Sequence, residues 1–153
     1  MPPRLPLPPT TVHGRILLVD GNVSGLSARK AVLEENGHTV SVASSGADAF
    51  EQFSGHKFDL VVTDHKMPRM DGLGLIKKIH AVSPETPMVL LSGLVDVLGL
   101  DEQTTGANAV IQKSANEVTQ MVRVVARLLR RKPLPKKAAS QGSALTKSKR
   151  IGA

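Results

Sequence analysis

The sequence predicts an α/β fold, a parallel sheet with crossover helices, and two observations carry that prediction. Short apolar runs rich in β-branched residues alternate with longer stretches of helical period, and the alternation repeats five times. The first of the short runs, "RILLV" at 15–19, is apolar almost throughout, as a strand covered on both faces of a sheet must be.

The elements follow in order. After "RILLV" comes a helix from about Ser24 to Asn36, with Gly37 as its C-terminal stop. "HTVSVA" at 38–43 alternates in polarity and reads as a strand nearer an edge, and a helix from about Ala47 to Phe53 follows it. Next are the strand "DLVVT" at 59–63, a loop through Met67 and Pro68, and a helix from about Leu73 to Val82 that Asp71 can cap. "MVLLS" at 88–92 is the fourth strand. The glycine-interrupted segment "GLVDVLGLDEQTTGAN" predicts a short or loosely held helix, because glycine is a poor helix former. "AVIQ" at 109–112 is the fifth strand, and "NEVTQMVRVVARLLRR" at 116–131 is the last helix. That helix sets Val118, Met121, Val122, Val125, Leu128 and Leu129 on one stripe, with Arg123, Arg127, Arg130 and Arg131 outside it.

Composition narrows the function classes. A chain of 153 residues, 41% of them apolar, suffices for one domain with a core. Residues 1–12 form a proline-rich leader expected to be disordered, 13–131 the domain, and 132–153 a basic tail expected to be disordered. No apolar run approaches the roughly 18 to 20 residues that span a bilayer, and the prolines of the leader break up any signal peptide, so the expected location is cytoplasmic with no membrane partner. With no cysteine there is no disulfide, no thiolate nucleophile and no cysteine-based zinc site. The net charge of +7 belongs to the two tails, because the 13 acids of the chain are matched by as many cations between His13 and Arg131. Tail binding to nucleic acid through counterion release is one alternative, but no helix-turn-helix or stacking aromatics accompany the charge, and the expectation is a solvated tail.

Four polar residues end or follow apolar strands: Asp20, Asp64, Ser92 and Lys113. In a doubly wound sheet, residues just past the carboxyl ends of parallel strands gather in one crevice. The set has a chemical logic. A carboxylate is ionised at neutral pH and attacks phosphorus without a general base, provided cations and hydrogen-bond donors meet the charge on the phosphoryl oxygens. Mg²⁺ suits such a site, since it binds through one or two carboxylates, waters and phosphate oxygens.

With spacings of 44, 28 and 21 residues, "ILLVDGN", "DLVVTDHKMPRMDG", "VLLSG" and the lysine of "AVIQKS" resemble the receiver domain of two-component response regulators over about residues 13–131. The resemblance implies a flavodoxin-like, doubly wound, five-stranded parallel sheet in order 2-1-3-4-5 with helices on both faces. It makes Asp64 the phosphoacceptor, served by a histidine kinase or phosphotransfer protein, with Ser92 and Lys113 on the phosphoryl oxygens. Mg²⁺ would be held by Asp20, Asp64 and the backbone carbonyl of Lys66. The chain reads as a single-domain regulator and not an enzyme. It would signal to a downstream protein through the face of the fourth helix, fifth strand and fifth helix, where Arg123, Arg127 and Val124 lie; a homodimer stays open.

Three positions depart from the family pattern. Gly21 stands where a second acid usually follows the first, which weakens Mg²⁺ binding. Val110 stands where an aromatic side chain often swings with the active hydroxyl, and a valine cannot make that rotation. Ser114 replaces the proline that usually follows the lysine; a non-proline cis bond costs about 2.5–4 kcal/mol, so the expectation is a trans bond and a displaced Lys113. The alternative reading is therefore an atypical receiver that binds partners without being phosphorylated. A flavodoxin-like enzyme is the lesser alternative, since "DGNVSGLS" is not G-x-G-x-x-G. Among the five histidines no metal-ligand spacing occurs, and His65 is expected to line the crevice rim.

Overall fold

The computed structural model describes residues 12–131. The leader up to residue 11 and the basic tail from residue 132 lie outside the described residues. Strands β1 (Arg15–Val19), β2 (Thr39–Ala43), β3 (Leu60–Asp64), β4 (Met88–Ser92) and β5 (Ala109–Gln112) alternate with helices α1 (Val23–Glu35), α2 (Gly46–Gly55), α3 (Gly72–Val82), α4 (Val95–Leu98), α5 (Glu102–Thr105) and α6 (Glu117–Arg131). All pairings are parallel and the order is β2-β1-β3-β4-β5, as the resemblance implied.

The period of two along each strand divides the core between the two faces of the sheet. Ile16, Leu18, Leu60, Val62, Val89 and Leu91 face α1 and α6, meeting Leu26 and Leu33 of the first and Met121, Val125 and Leu128 of the second. Leu17, Val19, Val61, Met88 and Leu90 face the opposite way, onto Ala49 of α2 and Leu75, Ile76 and Ile79 of α3. β3 and β4 are buried at every position, whereas the edge strand β2 exposes Thr39 and Val42, in keeping with its alternating sequence.

Local chemistry sets the boundaries. The side chains of Asn22, Ser45 and Asp71 accept the N–H groups of Gly25, Asp48 and Gly74, capping α1, α2 and α3. The glycine-rich segment after β4 forms two single-turn helices in place of one, each closed by a glycine in the left-handed region, Gly99 (φ 64°) and Gly106 (φ 79°). α6 carries the expected stripe, with Met121, Val125 and Leu128 buried and Val118, Val122 and Leu129 half-buried; Arg123, Arg127 and Arg130 stay exposed.

Candidate functional site

The carboxyl ends of β1, β3, β4 and β5 are knit by backbone bonds, with the N–H of His65 donating to Leu91 O at 2.8 Å and that of Lys113 to Ser92 O at 2.8 Å. These bonds bring three of the expected groups into one crevice. Asp64, the last residue of β3, is 6% exposed, and Lys113 Nζ lies 2.5 Å from its Oδ1. The lysine is not displaced. All described peptide bonds are trans, the Lys113–Ser114 bond among them, and the anchoring of Lys113 N–H to β4 aims its side chain at Asp64 regardless of that bond.

Ser92 is buried at the end of β4, and its hydroxyl is engaged twice. Oγ accepts the N–H of Leu94 at 3.0 Å and lies 2.9 Å from His65 Nδ1. His65 is buried beneath the rim, not lining it as the sequence suggested, because Ser92 gives its ring a polar partner there. Lys66 is exposed.

Asp20 follows β1 on the α1/α6 side, and both of its oxygens have protein donors. Oδ1 accepts the N–H of Asn22 at 2.9 Å and Oδ2 takes Arg29 Nη1 at 2.6 Å. Arg29, a buried residue of α1, turns its other nitrogens to Glu117 at the start of α6, with Nε at 2.8 Å and Nη2 at 2.6 Å from the same oxygen Oε2. Sequence reasoning missed this bridge. The signal was present, since Arg29 interrupts the buried stripe of Leu26 and Leu33, and a cation on such a stripe needs an anion from elsewhere in the fold. Burial lowers the Arg29 pKa, but its bonds and attraction to Glu117, and then to Asp20, outweigh that effect and leave it raised. The guanidinium is a permanent charge.

This donor set does not fit a divalent ion while Arg29 is in place. Gly21 supplies no oxygen, and Asp20 already meets a backbone N–H on one oxygen and a permanent cation on the other. Space is not the reason for Gly21, because a Cβ there would meet nothing nearer than Ser44 O at 3.9 Å.

Burial pushes the Asp64 carboxyl above its ordinary range and the charge of Asp20 adds to this, against the bond and attraction of Lys113. The folded chain thus holds a proton on Asp64 more tightly than the unfolded chain does. The resulting stability is fully present below the ordinary carboxylate value of about 4 and is lost as pH rises through the raised one. Asp64→Asn cannot ionise and escapes that loss. It is expected to be more stable than the parent at neutral pH, with the difference shrinking as pH falls toward about 4, as urea unfolding across pH would measure.

A family model for the response regulator receiver domain matches residues 16–126. The chain is 36% identical over 93 residues to the transcriptional regulatory protein ZraR of Escherichia coli K12, covering 60% of this chain and 21% of that protein. It is 32% identical over 132 residues to the uncharacterized transcriptional regulatory protein YesN of Bacillus subtilis, covering 82% of this chain and 36% of that one. The chain therefore spans well under half the length of these curated relatives. Among solved structures, a response regulator receiver domain protein from Clostridium thermocellum superposes with a TM-score of 0.69 at 26% identity, covering 77% of this chain and 95% of that one. The response regulator TrrA of Thermotoga maritima, in complex with Mg²⁺ and BeF, gives a TM-score of 0.67 at 27% identity and covers 74% of this chain and 97% of its own.

Proposed function

Because the chain belongs to the response regulator receiver family, a family of signalling domains, we propose that Asp64 accepts a phosphoryl group from the phosphohistidine of a kinase or phosphotransfer protein. The observation that carries this reading is the buried Asp64 carboxylate held by Lys113 at 2.5 Å, at the carboxyl end of the central strand.

Lys113 occupies Oδ1, so attack on phosphorus comes from the other oxygen. The new P–O bond forms as the P–N bond to the donor imidazole breaks, and the imidazole leaves with the electron pair. Burial strips water from the attacking carboxylate, and Lys113 stands where it meets part of the negative charge that the phosphoryl group brings. Ser92 can offer its hydroxyl to a phosphoryl oxygen once it turns from His65.

The protein then signals in the cytoplasm to a partner protein. Val124 is half-buried against the core, so the apolar contacts of the expected output face fall to the exposed Val97 and Leu98 of α4, and its cations are the exposed Arg123 and Arg127 of α6. A second reading, binding without phosphorylation, draws support from Gly21 and from the Arg29–Asp20 pair.

Intact mass after incubation with acetyl phosphate, with and without Mg²⁺ and with a rapid acid quench, tests the reading. One added phosphoryl on the native chain that is absent from Asp64→Asn is the expected result. No addition to the native chain under either condition overturns it in favour of binding alone.

A further inference from the structure

We infer that the Arg29 guanidinium takes the place of a divalent cation at Asp20, so that the crevice carries its own fixed counter-charge and binds Mg²⁺ only when Arg29 is removed. The inference deepens the receiver reading in its cation chemistry. It does not depend on phosphoryl uptake, because its readout is metal binding.

Four features of the chain point the same way. The first is the bridge itself, in which three nitrogens of one buried side chain reach two acids on different elements at 2.6 to 2.8 Å. The second is the engagement of both Asp20 oxygens, the other one accepting the backbone N–H of Asn22. The third is Gly25, one turn before Arg29 on α1. A Cβ at that position would lie 2.9 Å from Arg29 Nη1 and 3.0 Å from Asp20 Oδ2, so the room in which the guanidinium meets the carboxylate exists because residue 25 has no side chain. The fourth is Gly21, which withholds a second carboxylate from a place with space for one.

The metal role that the resemblance gives Asp20, Asp64 and the Lys66 carbonyl would require Asp20 to give up Arg29. A divalent ion would then sit beside a buried guanidinium left with Glu117 alone. Like charges repel strongly where water is scarce, and Arg29 cannot relieve the repulsion by losing its proton. The other carboxylate, Asp64, is itself paired with Lys113, so neither acid offers the ion an uncompensated charge. The plain structural alternative is a tie between β1, α1 and α6 that leaves room for Mg²⁺ alongside. It predicts that loss of Arg29 changes stability and leaves metal affinity as it was.

The test begins with the native chain. Its ¹⁵N-labelled amides of Gly21 and Asn22, and the Nε–H of Arg29, are followed by NMR while Mg²⁺ is raised through the millimolar range. No saturable shift is expected, and a saturating one overturns the inference whether or not Arg29 moves. Mn²⁺ binding, read by electron paramagnetic resonance, then compares the native chain with Arg29→Met/Glu117→Gln, which removes the cation without orphaning Glu117. The double variant is expected to bind at least about tenfold tighter, and adding Asp20→Asn to it should abolish the gain. Affinities equal within about twofold overturn the inference. The phosphoryl-transfer reading fails by a different measurement, the acetyl phosphate mass shift.

Discussion

Arg29→Met is expected to destabilise the fold by about 3–5 kcal/mol, the cost of leaving buried carboxylates without their partner. Its side chain is 9% exposed, against 4% for Asp20 and 14% for Glu117, so water cannot replace the lost guanidinium. Desolvation makes the cost asymmetric. A buried ion pair contributes little net stability, but half of one is strongly unfavourable, because the remaining charge has already given up its hydration. Arg29→Met/Glu117→Gln should therefore lose less than Arg29→Met alone, although it removes more charged groups. Lys30 and Glu34, three ångströms apart on the outer face of α1, supply the control. They are a similarly close pair, but 40% and 43% exposed, and Lys30→Ala is expected to change stability by no more than about 0.5 kcal/mol. Urea unfolding of the four proteins measures all of this. Equal midpoints for Arg29→Met and the parent would mean that solvent reaches Asp20 readily, and the case for a fixed counter-charge would go with it.

Why Arg29 escaped a reading of the sequence is physical. Its partners lie 9 and 88 positions away, and nothing local brings Glu117 to α1; that is done by the packing of α6 beside α1 on one face of the sheet. The His65–Ser92 contact spans 27 positions and escaped for the same reason. What the sequence did disclose was local or periodic. Strand alternation, the Asp71 cap and the breaking of the segment after β4 by Gly99 and Gly106 each depend on residues within one turn or one strand. Asp64 and Lys113 were legible despite their separation, because each directly ends or follows an apolar strand and parallel strands deliver their carboxyl ends to one place. The expected displacement of Lys113 was wrong for an instructive reason. It weighed the peptide bond after the lysine and overlooked the bond of its own N–H to Ser92 O, which fixes where the side chain starts.

Gly72→Ala is the second large effect expected, and it should strike stability and phosphoryl uptake together. Gly72 opens α3 and donates its N–H to His65 O at 2.8 Å, which presses the helix start against the backbone at Asp64. A Cβ there would overlap the carbonyl oxygen of Asp64 and lie 2.8 Å from Leu90 Cδ1. The leucine can turn, but the carbonyl belongs to a fully buried strand and cannot. Either the end of β3 or the start of α3 must move, and α3 is held by Leu75, Ile76 and Ile79 in the core. Overpacking of this kind costs about 1–3 kcal/mol or more. A shift of Asp64 also spoils its 2.5 Å contact with Lys113, so the acetyl phosphate adduct should fall along with the urea midpoint. Gly55→Ala separates this from a general intolerance of alanine. Nothing lies within 4 Å of a Cβ at Gly55, the last residue of α2, and the change there should be neutral or stabilising by up to about 1 kcal/mol. If Gly72→Ala instead unfolds at the parent's midpoint and still takes up phosphoryl, the loop from His65 to Asp71 slides freely, and the rigidity assigned to Asp64 does not exist.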